Sequence, residues 1–513
     1  MVFFLMLFVK ILNFRCFNVT VSSIARKHSA VCNYAGSNIE TLKELYGFTK
    51  EEIFRLMENP AIWRKKETED LIDSYHLYKR LGFTNSDFLA YPSLLISHPV
   101  AKFNHYNSLL DTGCSPIDAR LLCRASYYFR NKIATLKQDG YLEPDVNVAD
   151  RLLELLQPPS SRSSIPLEQS LKEIDEMKWT ALHRTILTAW LQVRLKTSED
   201  EIINLLRVHK MIANKSFRII NENITLAESI GISNRKILRS GYLLNTYPEY
   251  PKTMLRDHPI LAGVNIAAYY RTNPKLMMIN PRKILEIFKL LKEYNISDEA
   301  IQTRPSVFTM SPFTLKQRLD HIKQTPELRV NFNDYRMLNM VIHHKTMSSR
   351  LGFLKKLKLR CASLNHIAKP DDSKFEDYIQ EGRDMNRISD VMDYFSALLK
   401  KPKEEVRARL RKHPFYYYVP FVDIQANYEY LIQMGYTNEN IARSLLVLLY
   451  PGYKIKKTLE KLRREATLRF TDLQQSKQLN LVLYYIEKEF HFTGNGIWRT
   501  DLLDSPAEEK TLE

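Results

Sequence analysis

The sequence predicts an all-α protein, an α-solenoid assembled from repeats of 31 to 33 residues. Three observations predict it. Pairs of prolines seven residues apart recur at Pro92 and Pro99, Pro274 and Pro281, and Pro305 and Pro312. Beside them recurs a second signature of Gly or Asn, an apolar residue, and then Ser, Thr or Asn. Glycine is scarce, 14 in 513 residues, and no stretch alternates apolar and polar residues long enough for a half-buried sheet. Recurrence at this period is the mark of units that bury their surface against their neighbours.

The second signature occurs as "GFTKEEI" from Gly47, "GFTNSDF" from Gly82, "GCSPIDA" from Gly113, "GISNRKI" from Gly231, "GVNIAAY" from Gly263, "NISDEAI" from Asn295 and "GYTNENI" from Gly435. Gly or Asn can take the left-handed conformation that ends a helix, and the Ser, Thr or Asn side chain accepts from the free N–H groups of the next. The apolar residue between them staples onto the new first turn. Thr49 with Glu52 reads as a capping box, and Ser198 with Glu201 as another whose preceding glycine has been lost.

Each capped helix is expected to run two to three turns until the first proline stops it. A short apolar stretch follows, such as Leu94 and Leu95, Leu276 and Met277, or Val307 and Phe308. The second proline then opens a further helix at its first turn, where the missing N–H costs nothing. Thus Pro305 ends a helix begun near Ser297 and Pro312 starts the next.

Several copies are degraded. Ala125 stands where a first proline would be in register, Gly241 replaces one but keeps Pro248, and "NFNDYRM" from Asn331 matches weakly. "QPPSSRSSIP", from Gln157 to Pro166, reads as an exposed linker or inserted loop over 157–166, and "AKPDDSK" from Ala368 as another candidate. Residues 40–490 make up the array, and 491–513 a polar, acidic tail.

The first acidic residue is Glu40, while Lys10, Arg15, Arg26 and Lys27 accompany several serines, which reads as a mitochondrial presequence over 1–39. The competing reading is a secretory signal or anchor, since residues 2–9 are apolar. Lys10 and Arg15 interrupt that run well short of the ~20 residues a spanning helix needs, and no membrane span is expected in the mature chain. Five scattered cysteines without a C-x-x-C pair indicate neither a zinc site nor a disulfide framework. Adjacent His343 and His344 lack a Cys or carboxylate partner, so no metal or other cofactor is expected. The chain holds no G-x-S-x-G, H-E-x-x-H, Walker or dinucleotide motif, and a binding protein rather than an enzyme is expected.

Helical repeats of this length, with capped joints and proline pairs in register behind a presequence, resemble the mitochondrial transcription termination factor (mTERF) family over about residues 40–490. Within it, the long chain looks most like the divergent insect paralogues. The resemblance implies a curved superhelix of three-helix repeats whose basic concave face follows double-stranded mitochondrial DNA in the matrix, regulating transcription and its termination. It also implies a second possibility, since some relatives act on ribosomal RNA and ribosome assembly. Partner proteins of the transcription machinery, or a purely protein-binding scaffold, complete the alternatives.

The net charge of +17 and pI near 9.4 suit an anionic partner. Three basic runs are the candidate phosphate contacts. The first contributes Lys355, Lys356, Lys358 and Arg360; the second Lys403, Arg407, Arg411 and Lys412; the third Lys454, Lys457, Lys461 and Arg464. In the second, Val406 and Leu410 face the core; in the third, Ile455, Leu459 and Leu462 do. Phe415, Tyr416, Tyr417 and Tyr418, in "HPFYYYVP", are candidates for stacking on unpaired bases or for packing at a repeat junction.

Overall fold

Left-handed residues mark the joints of the chain. All seven signature positions, Gly47, Gly82, Gly113, Gly231, Gly263, Asn295 and Gly435, have φ between 59° and 95°. Lys196 occupies the place of the glycine missing before Ser198 and takes φ 54°, at the usual side-chain cost of this conformation. The computed structural model describes residues 38–56, 68–157, 170–369, 371–465 and 469–489, and falls into two units, Met1–Lys252 and Thr253–Glu513. The expected presequence up to position 37, the expected tail, and the expected loop beyond Gln157 lie outside the described residues.

The caps form largely as the sequence predicts. Glu52 N–H donates to Thr49 Oγ1 at 3.3 Å and Thr49 N–H donates to the Glu52 carboxylate at 2.8 Å, closing the capping box. Asn265, Ser297 and Thr437 each accept from a backbone N–H of the helix they start. Ser198 caps its helix too, but the Glu201 carboxylate accepts the Thr197 hydroxyl instead of returning to Ser198. At Gly113 the cap shifts: Asp118, not Ser115, accepts from Leu121 N–H at 2.6 Å, because Pro116 separates Ser115 from the helix Ala119–Tyr128.

Most of the helices after the caps are shorter than two to three turns, although Glu199–Val208 has ten residues. Asn85–Ala90, Asn234–Arg239, Asp298–Thr303 and Asn438–Arg443 have six residues each, and Ile266–Thr272 has seven. Where a proline follows, the residue before it has already left helical geometry. Both prolines of each pair act at a joint. Pro92 leads into the single turn Ser93–Ile96, Pro274–Met278 and Pro305–Thr309 are 3₁₀ turns, and Pro99, Pro281 and Pro312 are the first residues of long helices. Gly241–Asn245 and Leu445–Leu449 make the same 3₁₀ turn without a leading proline. A Cβ at Gly241 would collide with Leu205 and His209. Where Ala125 replaces proline, Ala119–Tyr128 runs on for ten residues.

Long helices of 13 residues recur as Phe217–Ser229, Pro281–Glu293, Pro312–Gln324, His344–Lys356, Phe421–Gln433 and Gly452–Arg464. Two kinds of side-chain tie join successive copies. Asn85, Asn234 and Asn438, each the first residue of a short helix, donate to the carbonyls of Tyr46, Leu195 and Leu399, every time 39 residues back. In mid-helix, buried Asn223 donates to Leu244 O and Thr246 O, and buried Asn427 to Leu448 O and Tyr450 O, at 2.8 to 3.2 Å. Arg318 takes the same helix position and donates to Val341 O at 2.7 Å.

Two departures lie in the second unit. Gly263 ends no helix; with Ala262 it turns a two-stranded hairpin pairing Ile260–Leu261 with Val264–Asn265. In the weak copy near Asn331, Arg336 is gripped by Asp334, Asp390 and Asp393, and Arg350 fixes the 366–372 segment. In "AKPDDSK", Asp371, Asp372 and Ser373 are exposed, and Arg350 ties Lys369, Asp371 and Asp372 by hydrogen bonds.

Each unit has its own apolar core. In the first unit, Tyr46, Phe48, Leu71, Tyr78, Phe88 and Leu94 cluster, and Trp179 stacks between Phe129 and His183. Phe395, Val406, Leu410, Ile424, Leu448, Ile455, Leu459 and Leu462 are among the core of the second. The inward faces expected for the second and third basic runs are thus in place.

Candidate nucleic-acid interface

Positive charge is concentrated in one part of the chain. Residues 38–252 hold 29 Lys and Arg against 27 Asp and Glu, whereas residues 253–489 hold 40 against 26. Exposed, uncompensated cations in the second part are what could meet an anionic polymer.

The helix Lys403–Leu410 buries Val406 and Leu410, which turns Lys403 and Arg407 outward, with Arg411 and Lys412 exposed just beyond its end. Arg407, Arg411 and Lys412 have no carboxylate partner among the described residues. Lys403 differs. It is ion-paired with nearly buried Asp393, which raises its pKa, and it lies 5.6 Å from the Tyr335 ring. Arg409 donates to the Arg443 carbonyl at 2.7 Å, tying this helix to the following short helix.

On Gly452–Arg464, Lys457, Lys461 and Arg464 are exposed and carry no carboxylate partner among the described residues. Lys461 lies 5.9 Å from the Tyr485 ring, and Lys454 is 5.8 Å from that of Tyr453. Lys456, which lies off the sequence stripe, is exposed as well, and sits 5.0 Å from the Tyr430 ring.

Two of the four residues of the first run are already paired. Arg350 is buried and donates to the carbonyls of Lys369 at 2.6 Å and Asp371 at 3.0 Å. Lys355 pairs with Glu327 at 2.8 Å, and Arg360 with Asp423 at 2.6 Å. Lys356 and Lys358 remain exposed without a carboxylate partner among the described residues.

The aromatic turn is partly core and partly surface. Tyr416–Tyr418 is a 3₁₀ turn whose side chains, with that of Phe415, are half-buried; Tyr416 and Tyr417 pack against the core of the second unit. Its backbone is braced from behind, because Asn386 N–H donates to Tyr417 O at 2.7 Å and Asn386 Nδ2 to Val419 O at 2.8 Å. Tyr417 and Tyr418 have ring centroids 4.5 Å apart. Burial holds His413, at the start of this segment, near pKa 4, so it is a neutral packing residue rather than a cation.

His344 Nε2 and His321 Nδ1 lie 3.0 Å apart, and no group of three or more potential metal ligands occurs among the described residues. No described helix is long and apolar enough to cross a membrane.

No family model matches the chain, and no solved structure matches it. A curated relative does: the chain is 27% identical over 441 residues, 84% of its own length and 78% of the relative's, to "Transcription termination factor 5, mitochondrial" of Drosophila melanogaster. A match of that extent takes in most of the capped, proline-jointed helices that carry the sequence signatures, and over that length the chain is similar to a mitochondrial transcription termination factor.

Proposed function

We propose that this chain is a mitochondrial protein that binds double-stranded DNA through its second unit and regulates transcription, by terminating it. The observation that carries this reading is the set of exposed cations without carboxylate partners among the described residues, Arg407, Arg411, Lys412, Lys457, Lys461 and Arg464, on or just beyond two helices of one unit, Lys403–Leu410 and Gly452–Arg464. The transcription-termination relative supplies the process and the compartment. Such cations contact phosphates and so supply affinity and register rather than sequence choice. The same proposal holds that the repeats stack as an α-solenoid with a basic concave face, which the recurring asparagine ties support.

Mitochondrial RNA is the second reading, favoured by the half-exposed tyrosine turn, since aromatic faces beside cations suit unpaired bases. The deciding experiment recovers the tagged full chain from mitochondria after crosslinking and sequences the DNA and RNA bound to it. Discrete DNA sites near transcript ends are expected; ribosomal RNA without DNA enrichment would replace the first reading by the second. Recovery of neither would leave a protein scaffold.

A further inference from the structure

The last described helix, Gln475–Glu489, lies along the helix that carries the third basic run. Near its start, Ser444 Oγ donates to Ser476 O at 3.1 Å, and near its end the Tyr450 hydroxyl donates to the Glu487 carboxylate at 2.5 Å. Tyr450 stands just ahead of Gly452–Arg464, and the Lys461 ammonium is 5.9 Å from the Tyr485 ring. The chain therefore leaves its last described helix beside the cation-bearing one. Gly452–Arg464 holds six Lys and Arg against one acid, Glu460, with Glu465 just beyond it. Lys457, Lys461 and Arg464 are spaced i, i+4 and i+7 and so fall within about 60° of one another around the helix. Glu460, exposed at the border of this stripe, forms an ion pair with none of the three.

The sequence that follows carries the opposite charge. Asp501, Asp504, Glu508 and Glu509 lie within nine residues that contain no Lys or Arg, and over 491–513 five acids stand against two bases, Arg499 and Lys510. Asp501 comes 12 residues after Glu489. A stretch of that length reaches up to about 40 Å, whereas a helix the length of Gly452–Arg464 is about 20 Å long. Every cation of the stripe is therefore within reach of these carboxylates with the described helices left as they are.

We infer that the acidic segment 501–509 of the chain itself docks on Lys457, Lys461 and Arg464, and that it competes there with the anionic polymer. The competition rests on the nucleic-acid reading; the docking does not. Tethering holds the carboxylates at an effective concentration on the order of millimolar, which suits a few exposed ion pairs of modest strength. A contact that weak exchanges readily, so it lowers affinity without taking the stripe out of the nucleic-acid track. Because the stripe meets phosphates rather than bases, all duplexes lose affinity by the same factor and sequence choice is untouched.

The test uses the full-length chain and has two readouts. Asp501→Asn and Asp504→Asn combined with Glu508→Gln and Glu509→Gln should raise duplex affinity by about fivefold at low salt, the yield of a few exposed ion pairs, with a gain that shrinks as salt rises. Without nucleic acid, a carbodiimide, which joins carboxylates to amines in contact, should link Lys457 or Lys461 to residues 501–509, as read by mass spectrometry. Mixing isotopically labelled and unlabelled chains should show that the links lie within one chain, and excess duplex should suppress them. The docking is overturned if no such link forms or if links form only between chains, and the competition is overturned if the neutralised variant binds duplex no more tightly. Links in a chain that binds no duplex uphold the docking and sink the nucleic-acid reading, whereas duplex binding without links does the reverse.

Discussion

The helices His344–Lys356 and Gly452–Arg464 have the same length, and both read as basic in sequence, yet they engage their cations to different extents. On the second, Lys457, Lys461 and Arg464 stay exposed and have no carboxylate partner among the described residues. On the first, Arg350 is buried as a clamp and Lys355 is paired. A run of positive residues is therefore not a run of free charge. What separates the two helices is their surroundings: the first faces the acid-rich 371–384 segment and Glu327, whereas the second has no equivalent neighbour among the described residues.

Removing the clamp should do the most damage. Arg350→Ala strands the carbonyls of Lys369 and Asp371 and should lower stability by about 3 kcal/mol, in the range for losing a buried charged hydrogen-bonding group. Hydrogen exchange should rise across 364–381 while duplex affinity changes only through that unfolding. Asn427→Leu removes the donor to Leu448 O and Tyr450 O and should cost about 2 kcal/mol. Its effect on exchange should appear in 445–450, within the unit that holds the free cations.

Acid probes both units without mutation, since burial also holds His105 and His183 of the first unit near pKa 4. Burial holds His366 and His413 near pKa 4, below the ordinary value of 6.5. A lowered folded pKa means that the unfolded chain binds more protons between the two values. Stability is therefore full above about pH 6.5 and is lost as pH falls toward 4. A thermal midpoint that drops between about pH 7 and 5, with a smaller drop in His413→Phe, is the expected result.

Much of the fold is legible in the sequence because its signals are local. A proline stops one helix and starts another whatever surrounds it, and a Thr49–Glu52 box spans four residues. The left-handed Lys196 is not legible, since nothing in a lysine announces positive φ. The asparagine ties escape a reading of the sequence although their signal is present: Asn85, Asn234 and Asn438 each follow the Ser or Thr of the cap signature. For the candidate site, exposure is legible from helical spacing but pairing is not. Glu327 lies 28 residues from Lys355 and Asp423 lies 63 from Arg360, separations that only the fold closes.

Binding should respond on the helix whose cations are free. Replacing Lys457, Lys461 and Arg464 by Gln should reduce the salt dependence of duplex affinity by about 0.9 in log–log slope for each phosphate no longer neutralised. Stability should hardly change, because exposed cations without partners contribute little to folding.

Cations that are already paired should matter least to binding, and they discriminate most. Lys355→Gln and Lys403→Gln remove positive charge from the same sequence runs, but these two lysines are engaged by Glu327 and Asp393. To reach a phosphate, each must first give up its carboxylate, so the net gain from neutralising DNA is small and few counterions are released through it. The slope should therefore stay within error of the unsubstituted chain. Lys403→Gln should instead cost some stability, since Asp393 is nearly buried and, among the described residues, keeps only its ion pair with Arg336. If either substitution flattens the slope as much as a change at Lys457 does, pairing within the chain does not decide which cations meet the nucleic acid, and the contrast between the two helices loses its functional meaning.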